Sequence, residues 1–103
     1  MARIPARLHP KAEEEANSAW AWYADRNPRA ADAFFAELDA AMAGIAEGPL
    51  QWPRLYGRYR RFPMHTFPFN VVYIQLQGIV EVIAIAHFRR RPGYWRQRKP
   101  RSV

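Results

Sequence analysis

Four side chains in the second half of this 103-residue chain could do chemistry on a phosphate ester: Arg61, His87, Arg89 and Tyr94. Cleavage of RNA by attack of a ribose 2′-hydroxyl needs one group to take the hydroxyl proton and one to protonate the leaving oxygen. It also needs cations that stabilise the phosphorane. These four could in principle fill those roles, and histidine is the one residue type among them that ordinarily titrates near neutrality. A plainer reading stands beside this one: His87 closes the apolar run Val82 to Ala86, and a histidine there is also served by a local hydrogen bond at a strand end.

Other chemistries find little footing. Ser18 falls in a helical pattern and Ser102 at the C-terminal end, so neither suits a nucleophile. Cysteine is absent, which removes disulfides, thiolate metal sites and a thiol nucleophile, and suits a reducing compartment. His9, His65 and His87 lack metal-ligand spacing and no glycine-rich phosphate loop occurs, so neither a metal nor a cofactor is expected. Arg58, Arg60, Arg61 and the C-terminal tail could touch DNA directly, but neither helix is basic enough to read a groove.

The charge is divided along the chain. Residues 1–50 hold five basic and eight acidic side chains, whereas residues 51–103 hold eleven basic ones against Glu81 alone. Ten of those eleven are arginine, whose planar fork binds carboxylate or phosphate through two parallel hydrogen bonds. The second half is therefore expected to meet an acidic protein, nucleic acid or another anionic surface. With 50% hydrophobic and 15% aromatic residues the chain is not disordered in composition, and its length gives a single domain. No apolar run approaches the length of a membrane span and no signal-peptide core opens the chain, so a soluble cytoplasmic protein with no membrane segment is expected.

The elements that would position these residues follow from periodicity. Arg3 to Leu8 reads as a first strand, kept to a sheet edge or strand start by Pro5. Pro10 opens a helix with Glu13, Glu14 and Glu15 near its positive end, and Ala12, Ala16, Ala19, Trp20 and Tyr23 form its apolar face. It stops at Asn27, because Pro28 disfavours helical backbone before it yet suits the start of the next helix. Ala31, Phe34, Phe35, Leu38, Met42 and Ile45 give that second helix its stripe, and Gly48-Pro49 would end it through a C-cap glycine. So short a connection predicts an antiparallel helical hairpin.

Pro49 to Gly57 reads as a loop. Tyr59 to Phe62, Phe69 to Leu76 and Ile79 to Ala86 read as strands, the last two joined by the two-residue turn Gln77-Gly78. Phe69, Val71 and Tyr73 share one face, and Val72, Ile74 and Leu76 the other. Because both faces are apolar, the helices should cover one, and the C-terminal tail or a partner the other. Residues 96–103 read as a frayed basic tail. The expected fold is α+β, in the order β-α-α-β-β-β, with one helical layer on a mainly antiparallel sheet. Trp22 lies about 200° around the first helix from Trp20 and is a candidate partner contact.

Several local motifs, taken in order, resemble the RelE/ParE superfamily of bacterial type II toxins. They are His9-Pro10-Lys11-Ala12-Glu13, Trp22-Tyr23, Arg61-Phe62-Pro63, Phe69-Asn70-Val71-Val72-Tyr73, and Ile83-Ala84-Ile85-Ala86-His87 followed by Arg89-Arg90-Arg91-Pro92-Gly93-Tyr94-Trp95. The ending is more similar to the ParE, or plasmid-stabilisation, branch than to the RelE ribonucleases. The resemblance implies one toxin domain over residues 1–103, held by a cognate acidic antitoxin in a hetero-oligomer. It implies either a non-catalytic inhibitor of DNA gyrase or, on the RelE alternative, an mRNA endoribonuclease acting on the ribosome. A non-toxic orphan binding module is a third reading. Arg89 matches a phosphate-binding arginine of the ribonuclease branch, whereas Tyr94 falls one residue short of that branch's tyrosine and its central lysine pair is missing. The expected partner contacts are Trp22, Arg58, Arg61, Arg89, Arg90, Tyr94 and Trp95.

Overall fold

The structure is a computed structural model that describes residues 4–101. Its elements are β1 (Ala6–Leu8), α1 (Pro10–Arg26), α2 (Pro28–Glu47), β2 (Arg54–Tyr56), β3 (Tyr59–Pro63), β4 (Phe69–Leu76) and β5 (Ile79–His87). The sheet order is β1-β5-β4-β3-β2. Four strands form an antiparallel meander, and β1 joins its end parallel to β5. This is the α+β sandwich expected, with two adjustments. The first strand starts at Ala6, while Arg3 lies outside the described residues, and the expected loop from Pro49 to Gly57 contains the short edge strand β2.

One residue both ends α1 and begins α2. Asn27 is extended (φ −160°, ψ 101°), as a residue before proline must be, donates its N–H to the Tyr23 carbonyl at 2.6 Å, and accepts from the Arg29 amide through Oδ1 at 3.1 Å. The helices therefore fold back on each other at once. Trp20 stacks on Phe35 and Tyr23 on Phe34, a pairing that runs in opposite chain directions. Ala12, Ala16 and Ala19 are buried, so α1 sits close to the sheet. Gly48 caps α2 with φ −155° and ψ 71°, not the left-handed turn expected of a C-cap glycine. Its missing side chain instead admits Gln51, whose amide would lie 2.6 Å from a Cβ there.

Phe69, Val71 and Tyr73 face the helices, while Val72, Ile74 and Leu76 face away, as the alternation predicts. In β5 the alternation slips. Val72 pairs with Ala84 but Tyr73 pairs with Val82, so Ile83 is an extra residue and the strand carries a bulge. Val80, Val82 and Ile85 consequently point to the helices, and Ile83, Ala84 and Ala86 to the outer face. At the β4–β5 turn Gly78 takes φ +73°, a conformation that costs a side chain dearly.

The outer face is closed by the chain's own C-terminal segment. Trp95 is only 2% exposed and packs with Val72, Ile74 and Ile83, with its ring 5.0 Å from that of Tyr59. The frayed tail expected from residue 96 is not what the fold has through Arg101, because the segment is tied to α1, β1 and β5 by hydrogen bonds described below.

Candidate functional site

Two hollows meet at the end of β5. The larger, about 770 Å³, lies between α1 and the β5 edge, with Trp22, Tyr23, Phe69 and Ile85 supplying apolar walls and Lys11 and Arg90 among the charged ones. The smaller, about 450 Å³, lies on the outer face and contains Arg61, Arg90, Arg91 and Tyr94. His87 borders both. Its ring rests edge-on against Phe69 at 5.1 Å, and Nδ1 accepts from the Arg89 amide at 3.0 Å, which places the proton of the neutral ring on Nε2. The bulge puts Ile83 and Ile85 on opposite faces of the sheet.

Tyr94 is held by a buried polar cluster that sequence reasoning missed. Its hydroxyl donates to Glu15 Oε2 at 2.5 Å. Arg98 grips the same carboxylate with both Nη atoms at 2.9 Å and donates to the Ile83 carbonyl at 2.9 Å, while Glu15 Oε1 accepts from the Ile85 amide at 3.0 Å. The reason lies in the sheet. β1 covers β5 only as far as Val82, and beyond that point the backbone groups of the β5 edge need side-chain partners. Burial works to raise the Glu15 pKa, but Arg98, Tyr94 and the Ile85 amide together hold it below its ordinary value. Burial and then the Glu15 contact push the Tyr94 phenol well above the usual tyrosine range.

A second buried carboxylate anchors the tail further along. Glu81 is 0% exposed and accepts from the Arg101 amide at 2.7 Å and its Nε at 2.8 Å, with Arg7 Nε at 3.5 Å. Burial opposes its charge, and the Arg101 hydrogen bonds outweigh it, so its pKa is lowered. Arg101 also donates to the Leu8 carbonyl at 2.7 Å, and His9 Nε2 to that of Lys99 at 3.1 Å, which ties the tail to the start of the chain. Glu81 had a signal in the sequence, being a lone charge in an apolar strand. Glu15 and Arg98 had none that separates them from their charged neighbours.

The expected residues do not all share one site. His87, Arg61, Arg90 and Tyr94 share the outer hollow. Arg90 lies over the Tyr94 ring at 3.8 Å, and Arg89 is exposed beside His87. Arg58 sits at the other end of β4, donating to the Gln75 carbonyl at 2.9 Å. Trp95 is buried under the outer face, and Tyr94 is half-buried with its hydroxyl engaged. Trp22 is 53% exposed on α1, its ring under Arg26 at 3.8 Å, and it opens onto the larger cleft. Among the described residues no cluster of His, Cys, Asp and Glu could hold a metal ion, and no helix is long and apolar enough to cross a membrane.

The chain has known relatives. "Toxin ParE2" of Mycobacterium tuberculosis, from strains CDC 1551 / Oshkosh and ATCC 25618 / H37Rv, is 25% identical over 88 residues, covering 84% of each chain. A solved structure titled "Chromosomal ParDE TA system from P. aeruginosa" superposes with a TM-score of 0.73 at 12% identity, covering 82% of this chain and 96% of that one, so it has the same fold. The family model for the ParE toxin of the type II toxin–antitoxin system parDE matches residues 6–92, from β1 through β5 and into the arginine run. The chain belongs to the ParE family of type II toxins.

Proposed function

We propose that this protein is neutralised by a cognate acidic antitoxin seated in the cleft between α1 and β5, and that it acts by binding DNA gyrase, not by cleaving RNA. The observation that carries the reading is the state of Tyr94. Its hydroxyl is committed to a carboxylate and its pKa is raised, so the expected proton donor of the alternative mechanism is occupied as a structural group. An RNA-cleaving centre needs that donor free to meet the leaving oxygen. The cleft favours a partner: it is wide, mostly apolar, and carries an exposed tryptophan, a residue type enriched at interface hot spots. The positive second half would speed encounter with an acidic chain.

The test has two arms. Purified toxin should inhibit supercoiling of relaxed plasmid by gyrase and be relieved by the product of the adjacent reading frame, which should co-purify with it as a hetero-oligomer. The same toxin should leave mRNA intact in ribosome-containing extract. Cleaved mRNA with unaffected gyrase would replace this reading with the ribonuclease one.

A further inference from the structure

At the end of β4 remote from His87, the fold gathers three arginines with no counter-charge. Arg54 of β2 and Arg60 of β3 are direct cross-strand partners, and Arg58 lies in the turn between the two strands. The three line a hollow of about 360 Å³ with Gln75 and Gln77, and no carboxylate borders it. Among the described residues none of them is within ion-pair distance of an acid, whereas Arg7, Arg98 and Arg101 each pair with a buried or half-buried glutamate. Like charges directly opposite one another across an antiparallel pair destabilise it. The sequence nevertheless places arginine at both positions and adds a third at the turn.

Two of the guanidiniums are already fixed. Arg60 Nη1 donates to the Trp52 carbonyl at 2.6 Å, and Arg58 Nη2 to the Gln75 carbonyl at 2.9 Å. A guanidinium has five N–H donors, so each keeps others unspent while its direction is set, and little side-chain freedom remains to be lost on binding. Guanidiniums that line one hollow, two of them pre-oriented, with uncompensated charge suit a compact anion rich in acceptor oxygens.

We propose that Arg54, Arg58 and Arg60 form a phosphoryl-binding site. Its ligand is a phosphate group carried either by a small phosphorylated molecule or by a nucleic-acid backbone. Occupation relieves the repulsion between Arg54 and Arg60. The site does not share residues with the α1–β5 cleft or with the outer hollow, so it stands whether or not gyrase is the target.

The experiment titrates the full chain at low salt with tripolyphosphate, by calorimetry, and separately with a short DNA duplex. Tripolyphosphate should bind one to one, and Arg54→Gln with Arg58→Gln should weaken it by about ten-fold or more. Arg29→Gln with Lys99→Gln removes the same charge elsewhere and should weaken it by about two-fold at most. Arg54→Lys with Arg58→Lys keeps the charge but not the fork, and should lie between them. In the absence of phosphate the Arg54→Gln change should raise the thermal midpoint, and added phosphate should then raise it by less than it raises that of the wild type. If the backbone of nucleic acid is the source, the duplex competes with tripolyphosphate and the Arg54/Arg58 variant lowers the salt dependence of duplex binding. If a small molecule is the source, duplex binding ignores the variant. Equal losses in the two double variants, or no one-to-one binding by the wild-type chain, would overturn the site.

Discussion

Arg98 and Glu15 lie 83 residues apart and meet through two parallel hydrogen bonds of 2.9 Å, with each side chain 17% exposed. The pair does the work of a missing strand: its two members satisfy the Ile83 carbonyl and the Ile85 amide on the part of the β5 edge that β1 does not reach. Arg98 lies beyond the family match, which ends at residue 92, whereas Glu15 lies within it.

Glu15→Ala should therefore cost about 2–4 kcal/mol, because it strands both the Arg98 charge and the Ile85 amide in a poorly solvated place. Arg98→Ala should cost a similar amount, and the double change should cost much less than the sum, as expected for groups in contact. Urea unfolding of the four proteins measures this. Additive losses would mean that the two residues act separately.

Acid should act through the same groups. Glu15 and Glu81 are both held below the ordinary carboxylate value of 4.5, so the unfolded chain binds more protons than the folded one as pH falls through that value. Their contribution is fully present above the unfolded pKa and is lost progressively below it, through the lower folded values. A plot of stability against pH should fall on the acid side of 4.5, and Glu15→Gln should flatten that fall while lowering stability at neutral pH. An unchanged slope would show that other carboxylates dominate.

The parts of the fold legible in the sequence were those with local causes. Proline at positions 10 and 28, the stripe from Ala31 to Ile45 and the Gln77-Gly78 turn each act within a few residues, and the helical hairpin and the β4–β5 pair follow from them. The bulge at Ile83 was hidden because Ile83 to Ala86 is apolar at every position, so a slip of one residue leaves no mark on the pattern. Glu15 resembled one of three carboxylates placed for a helix dipole, since its partner is 83 residues away. The tail looked loose because four basic residues suggest solvent, yet Arg98 and Arg101 had buried acids to meet. Trp95 is carried inward with the same segment and is buried under the outer face.

The exposed arginines should separate recognition from folding. Arg61 and Arg89 are exposed and pair with no acid among the described residues, so changing either to Ala should shift stability by about 0.5 kcal/mol or less. Phe34, by contrast, is 0% exposed and touches Tyr23, Phe67 and Phe69, and Phe34→Ala should cost about 3–5 kcal/mol. Thermal unfolding of the three variants decides. Unfolded arginine variants would make those side chains part of the architecture.

Trp22→Ala addresses the cleft. The ring is half exposed and shares its contacts with Arg26 and Tyr23, so folding should lose little, while antitoxin affinity should fall by about 2 kcal/mol or more if the ring is an anchor. Competition binding against the wild-type toxin gives the difference. Unchanged affinity would move the antitoxin off this cleft.

His87→Gln separates binding from catalysis most directly. Glutamine removes the imidazole but retains polar reach, and its loss to folding is limited to the contact with Phe69 and the bond from the Arg89 amide. If His87 moves a proton, activity should fall by about 10²–10⁴-fold with antitoxin binding intact. On the proposed function, growth arrest and gyrase inhibition should change little, because a complementary surface survives the replacement of one ring. The measurement is gyrase supercoiling beside mRNA integrity in ribosome-containing extract, for wild type and variant at equal folded concentration. Loss of an mRNA cleavage that the wild type performs would assign His87 to catalysis and Arg61 and Arg89 to its phosphate, despite the commitment of Tyr94 to Glu15.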